Sequence, residues 1–92
     1  MKSIEINNKN YEIIENDDNC LDIEELREKV TDYFDDFDYI FGDYSYDKMR
    51  LKGYYDSSNK KAKKINDIKY LEEYKKDYCS FGAKCFLIKK SN

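Results

Sequence analysis

The sequence predicts an α+β domain. Three observations carry this: short runs with strand-like alternation, two longer runs with helical spacing, and polar turn clusters between them. The predicted order is β-β-α-β-β-(β)-α-β, a small mixed or antiparallel sheet with two helices. The 92 residues fit one domain, 1–92, and leave no room for a second.

The elements follow in order. Ile4-Glu5-Ile6 alternates, Asn7-Asn8-Lys9-Asn10 is a turn cluster, and Tyr11 to Glu15 alternates again, which predicts an N-terminal hairpin. Asp22 is a good N-cap, Glu25 stands three residues on as in a capping box, and Leu21 can staple onto Leu26. Ile23, Leu26, Val30, Tyr33 or Phe34, and Phe37 then recur at helical spacing, so a helix is expected from about residue 22 to 35, ended by Asp35-Asp36-Phe37-Asp38. Tyr39 to Tyr44 and Met49 to Tyr55 read as a hairpin turning at Ser45 to Lys48. Asp56 to Asn59 is a turn, and Lys60 to Ile65 reads as a charged edge strand. Asn66 or Asp67 caps a second helix with Ile68, Leu71, Tyr74 and Tyr78 on one face; Ser80 to Gly82 turns the chain, and Lys84 to Lys89 is the last strand. Without the first strand this is the ferredoxin-like element order. Leu26, Val30, Ile40, Leu51, Leu71 and Leu87 are the expected core.

Charged residues make up 40% of the chain, yet it is 16% aromatic and has no proline, which separates it from disordered chains. Its ten tyrosines are expected half-buried at core edges. Residues 1–47 hold fifteen acidic and four basic residues, and residues 48–92 hold five acidic and thirteen basic. Either the halves pack together and neutralise each other, or the surface is polarised toward an anionic partner. No apolar run nears 18 residues and the N-terminus has no hydrophobic stretch, so a cytoplasmic, membrane-free location is expected. Cys20, Cys79 and Cys85 are then expected as reduced thiols; a Cys79–Cys85 bridge fits the spacing but needs an oxidising compartment.

With no histidine, the usual general base and metal ligand is missing, and no phosphate-loop or dinucleotide motif is present. No cofactor, metal site or catalytic residue is expected. Asp17-Asp18 lacks the spacing of a calcium loop, and Asp35-Asp36 reads as a solvated helix end. The central hairpin holds the candidate binding face. If Ser45 pairs with Lys48, then Ile40, Gly42, Tyr44, Met49 and Leu51 share the core side. Tyr39, Phe41, Asp43, Arg50, Lys52 and Tyr54 share the other, where aromatic and basic residues interleave as in faces that stack bases and hold phosphates. Lys48, Lys60, Lys61, Lys63 and Lys64 are the accompanying anion contacts. The competing reading has these rings under a helix, with Asp43–Arg50 as a cross-strand ion pair.

Two blocks carry a family resemblance. Tyr39-Ile40-Phe41-Gly42-Asp43-Tyr44 with Arg50-Leu51-Lys52-Gly53-Tyr54-Tyr55-Asp56, and Tyr78-Cys79-Ser80-Phe81-Gly82 with Phe86-Leu87-Ile88-Lys89-Lys90, resemble the YutD-like proteins of low-GC Gram-positive bacteria. The resemblance spans roughly residues 3–90 and implies a small cytosolic α+β protein, with no activity attached. Tyr44 stands where that pattern has Trp, and Ala83-Lys84 precede Cys85 where it has Cys directly after the glycine. The functional expectation is a non-catalytic interaction or regulatory domain with a protein partner. The alternative is single-stranded RNA or DNA binding through the hairpin face, and a third reading is an enzyme using carboxylates alone.

Overall fold

The computed structural model describes residues 2–45, 48–78 and 83–91. Residues 46 and 47 of the expected Ser45–Lys48 turn, the expected turn at Ser80–Gly82, and Cys79 with its pairing lie outside the described residues. Strand β1 (Ser3–Ile6) joins β2 (Lys9–Asn16) through Asn7 and Asn8, at φ 52° and 66°. Both sit in the left-handed region that a two-residue hairpin turn requires and that asparagine tolerates. A bulge between Ile13 and Glu15 shifts the register in which β2 pairs with the last strand.

Helix α1 (Ile23–Lys29) starts as expected: the Asp22 side chain accepts the Glu25 N–H at 3.1 Å. It stops six residues earlier than the pattern predicts. Val30 is extended, and its carbonyl accepts a hydrogen bond from the Asn7 side chain at 3.0 Å. Thr31 then caps a short 3-10 turn over Asp32–Asp36. Val30 and Phe34 stay buried because this turn continues along the same sheet face.

The central hairpin, β3 (Tyr39–Ser45) and β4 (Lys48–Tyr54), has the predicted register, with Tyr44 opposite Met49, Asp43 opposite Arg50 and Phe41 opposite Lys52. Lys60 to Ile65 is not a strand. Asn59 and Asn66 accept the Lys61 and Lys63 N–H groups, so this segment satisfies its backbone in local turns. The chain returns to the sheet only at a parallel bridge between Tyr55 and Asp67. Asp67 caps the turn Ile68–Tyr70, which leads into α2 (Leu71–Tyr78).

Strand β5 (Cys85–Ser91) enters the middle of the sheet, giving the order β1-β2-β5-β3-β4 with every neighbouring pair antiparallel. This departs from the ferredoxin-like sheet: the last strand, rather than the hairpin strand β4, separates β2 from β3. The sheet has a core on each face. One gathers Ile4, Ile6, Tyr11, Ile40, Met49, Phe86 and Ile88 under Leu26, Val30 and Phe34. The other gathers Phe41, Tyr54, Cys85 and Leu87 under Leu71 and Tyr74. The expected core residues fall into these two clusters, Leu51 being half-buried. Ion pairs such as Arg50–Asp43, Lys61–Asp36, Lys75–Glu15 and Lys84–Asp18 join the basic half to the acidic one. No helix among the described residues is long and apolar enough to cross a membrane.

Candidate functional site

The six residues of the predicted face do lie on one side of the hairpin, but that side is covered. Helix α2 packs there, and Phe41 and Tyr54 are only 2% and 1% exposed. Tyr74 meets both rings edge-on, with centroids at 6.0 and 6.4 Å. These two rings therefore offer no free surface on which a base could stack. Tyr39 is half-buried against the same core, under the Lys89 ammonium. Asp43 is buried and holds Arg50 in a two-pronged pair, Nε to Oδ1 at 2.9 Å and Nη2 to Oδ2 at 2.6 Å. Of the six, Lys52 alone carries its charged end past the outer edge of β4, to the Ile65 carbonyl, while Arg50 stays half-exposed over Asp43.

Lys52 sits at a junction. Its ammonium lies 4.8 Å from the Tyr54 ring centre and 5.3 Å from that of Tyr74, and it donates to the Ile65 carbonyl at 2.7 Å. Burial pushes its pKa below the usual lysine value. Two clefts meet here. The larger, about 320 Å³, is walled by the rings of Tyr54, Tyr74 and Tyr78 with Ile65, and carries the charges of Lys52, Lys64, Glu73 and Asp77. The smaller, about 200 Å³, lies on the opposite sheet face between Tyr33, Phe34, Phe37, Leu51 and Ile65. Ile65 is 74% exposed, Tyr33 67% and Tyr78 65%, so three large apolar side chains stand open to water around one strand edge.

The loop that presents Ile65 is tied down by carboxylates. Asp36 accepts the Tyr55 hydroxyl at 2.7 Å and the Lys61 ammonium at 2.7 Å. Asp38 accepts the Asp56 N–H and the Asn59 side chain at 2.8 and 3.0 Å. Asp67 accepts Ser57 and the Lys69 N–H. The acidic run that reads as a solvated helix end is thus the loop's anchor. Lys60, Lys63 and Lys64 project from this loop into solvent, Lys61 is held by Asp36, and Lys48 is exposed at the start of β4.

These anchors set a pH dependence. The hydrogen bonds from Lys61 and Tyr55 hold Asp36 below the usual carboxylate range; those from Ser58 do the same for Asp56, and those from Ser57 and Lys69 for Asp67. Each depressed group contributes stability that is complete above its unfolded value, about 3.9, and is lost as pH falls through its lower folded value. Thermal unfolding should therefore show a melting temperature that drops as pH falls from about 4 toward 3. Asp36→Asn should flatten part of that drop. An unchanged profile in this variant would mean that Asp36 does not anchor the loop.

Cys20 is a free thiol that packs at the edge of the α1-side core, and Cys85 is buried in the other. Burial, then the Asp17 charge, pushes the Cys20 pKa up, which disfavours the reactive thiolate.

The geometry defines a small α+β domain with two cores and an exposed aromatic cleft at one sheet edge. The family described as "Putative antitoxin YutD-like" matches residues 5–89, and the chain belongs to that family. It is 36% identical over 85 residues to "Putative antitoxin YutD" of Bacillus subtilis (strain 168), covering 92% of this chain and 93% of that relative. It also resembles the solution NMR structure of protein yutD from B. subtilis, with a TM-score of 0.81 and 34% identity over 100% of this chain and 84% of that one.

Proposed function

We propose that this chain is a non-catalytic interaction domain that binds a protein partner through the aromatic cleft beside β4. The observation that carries the reading is the cluster of exposed Ile65, Tyr33 and Tyr78 around the two adjoining clefts. An apolar rim next to half-buried rings is the composition of a protein-binding hot spot. The printed name of the relative, "Putative antitoxin YutD", is compatible with a role in binding a partner. The absence of histidine supports a role in binding rather than catalysis.

Affinity capture from native lysate, with and without nuclease, tests it. The wild-type chain should retain a protein partner in both conditions. Ile65→Asp should reduce capture at least about tenfold, the effect of losing a central anchor. Ile65 is mostly exposed, so this variant should fold. Equal capture by wild type and Ile65→Asp, or loss of the partner on nuclease treatment, would overturn the reading.

A further inference from the structure

We propose that the partner enters as an extended strand added to the outer edge of β4, and that this segment alternates apolar with acidic side chains. The inference rests on the β4 cleft being the partner site.

The open edge follows from the register. Strand β4 is the last in the sheet, and among the described residues it pairs only with β3. The Tyr44 N–H donates to the Lys84 carbonyl at 3.2 Å, toward β5. The pair Tyr44–Met49 is therefore one of the widely spaced pairs of the β3–β4 ladder, and Met49, Leu51, Gly53 and Tyr55 turn their backbone groups outward. Tyr55 is already occupied: it donates to the Asn66 carbonyl and accepts from the Ile68 N–H. Gly53 is buried against the Phe37 ring. Met49 and Leu51 remain as the positions where a new strand can pair. The opposite edge is poorer. Strand β1 has four residues, and the outward carbonyl of Glu5 accepts Arg27 Nε at 3.1 Å.

Side chains of an added strand would point alternately to the two sheet faces, and each face has a cleft beside this edge. On the α1 side, Tyr33, Phe37 and Leu51 offer an apolar wall. On the α2 side, Lys48, Arg50 and Lys52 project from β4, with Lys64 on the cleft rim. Arg50 is paired with Asp43, whereas Lys48, Lys52 and Lys64 have no carboxylate partner among the described residues. Glu73 and Asp77 of α2 also line that cleft, but the residues of β4 itself that would flank an added strand on this face are Lys48, Arg50 and Lys52, so charge complementarity with the strand edge calls for carboxylates on that side of the added strand and apolar groups on the other. A second copy of this chain fits badly, because antiparallel β4–β4 pairing would set these cations against each other.

The test uses a synthetic octapeptide alternating valine and glutamate, and its valine–lysine counterpart, titrated against the full chain by NMR. The glutamate peptide should shift the Met49 and Leu51 amides and slow their hydrogen exchange. The lysine peptide should not. Leu51→Pro removes an outward N–H without breaking a β3–β4 hydrogen bond, but it also removes the half-buried Leu51 side chain, so Leu51→Ala, which keeps the N–H, is its control: the proline variant should weaken glutamate-peptide binding about tenfold or more beyond the alanine variant. Lys52→Glu gives a second variant, which should narrow the preference for the glutamate peptide, Lys48 and Arg50 being left in place. No shift at Met49 and Leu51 at about 1 mM glutamate peptide, a millimolar affinity being the floor of useful recognition, or equal response to both peptides, overturns the proposal. So does a concentration-dependent dimer that protects the same two amides. In the capture assay, Leu51→Pro retaining the partner that Ile65→Asp loses would remove strand addition and leave the cleft standing. Retention by both variants would remove both.

Discussion

Phe86→Ala should be among the most damaging single substitutions, lowering stability by about 3–5 kcal/mol. Phe86 is fully buried on the central strand β5, and its ring lies across Gly42 of β3. Residues directly opposite in a sheet usually share space through two side chains; here one ring fills both positions. A Cβ at Gly42 would overlap the Phe86 ring, so Gly42→Ala alone should cost about 1–3 kcal/mol through overpacking. With Phe86 already truncated, that methyl enters the vacated space. Urea unfolding of the two single variants and the double variant should therefore show strong non-additivity, with the double variant more stable than the summed losses imply. Additive losses would show that the ring does not depend on the glycine.

Leu71→Ala should cost about 2–5 kcal/mol, a large share of the 5–15 kcal/mol typical of a domain. Leu71 is buried at the start of α2, against Phe41, Tyr54 and Leu87. This helix has two turns and is short for independent stability, so packing holds it in place. Loosening it should also open the wall formed by Tyr74 and Tyr78 and weaken partner binding even where the variant remains folded. Denaturant midpoints and amide exchange over residues 71–78 measure the two effects. An unchanged midpoint would place α2 outside the core.

Much of this fold was legible in local chemistry. Asp22 and Glu25 announced the start of α1, and a Ser45–Lys48 closure fixed every pair of the central hairpin. What local reading missed came from distant partners. The end of α1 depends on Asn7, twenty-three residues away, whose side-chain amide donates to the Val30 carbonyl. The run from Lys60 to Ile65 looked like an edge strand, but two asparagine side chains and anchors from Asp36 and Asp38 make it a loop. Strand alternation correctly separated the two hairpin faces; it does not say how many of them a helix covers. Covering both buried Phe41 and Tyr54 and moved the exposed apolar surface to the sheet edge. Ile65, the centre of that surface, carried one faint signal: an isoleucine alone among lysines and asparagines.

Placing a photo-crosslinking amino acid at position 65, and at Glu28 on the exposed side of α1 as a control, tests the central claim most directly. Irradiated in its native cell, the position-65 chain should form a discrete adduct with a protein, unaffected by nuclease, and the position-28 chain should not. A nuclease-sensitive adduct at position 65, or a protein adduct at position 28 alone, would contradict the assignment of the β4 cleft as the partner site.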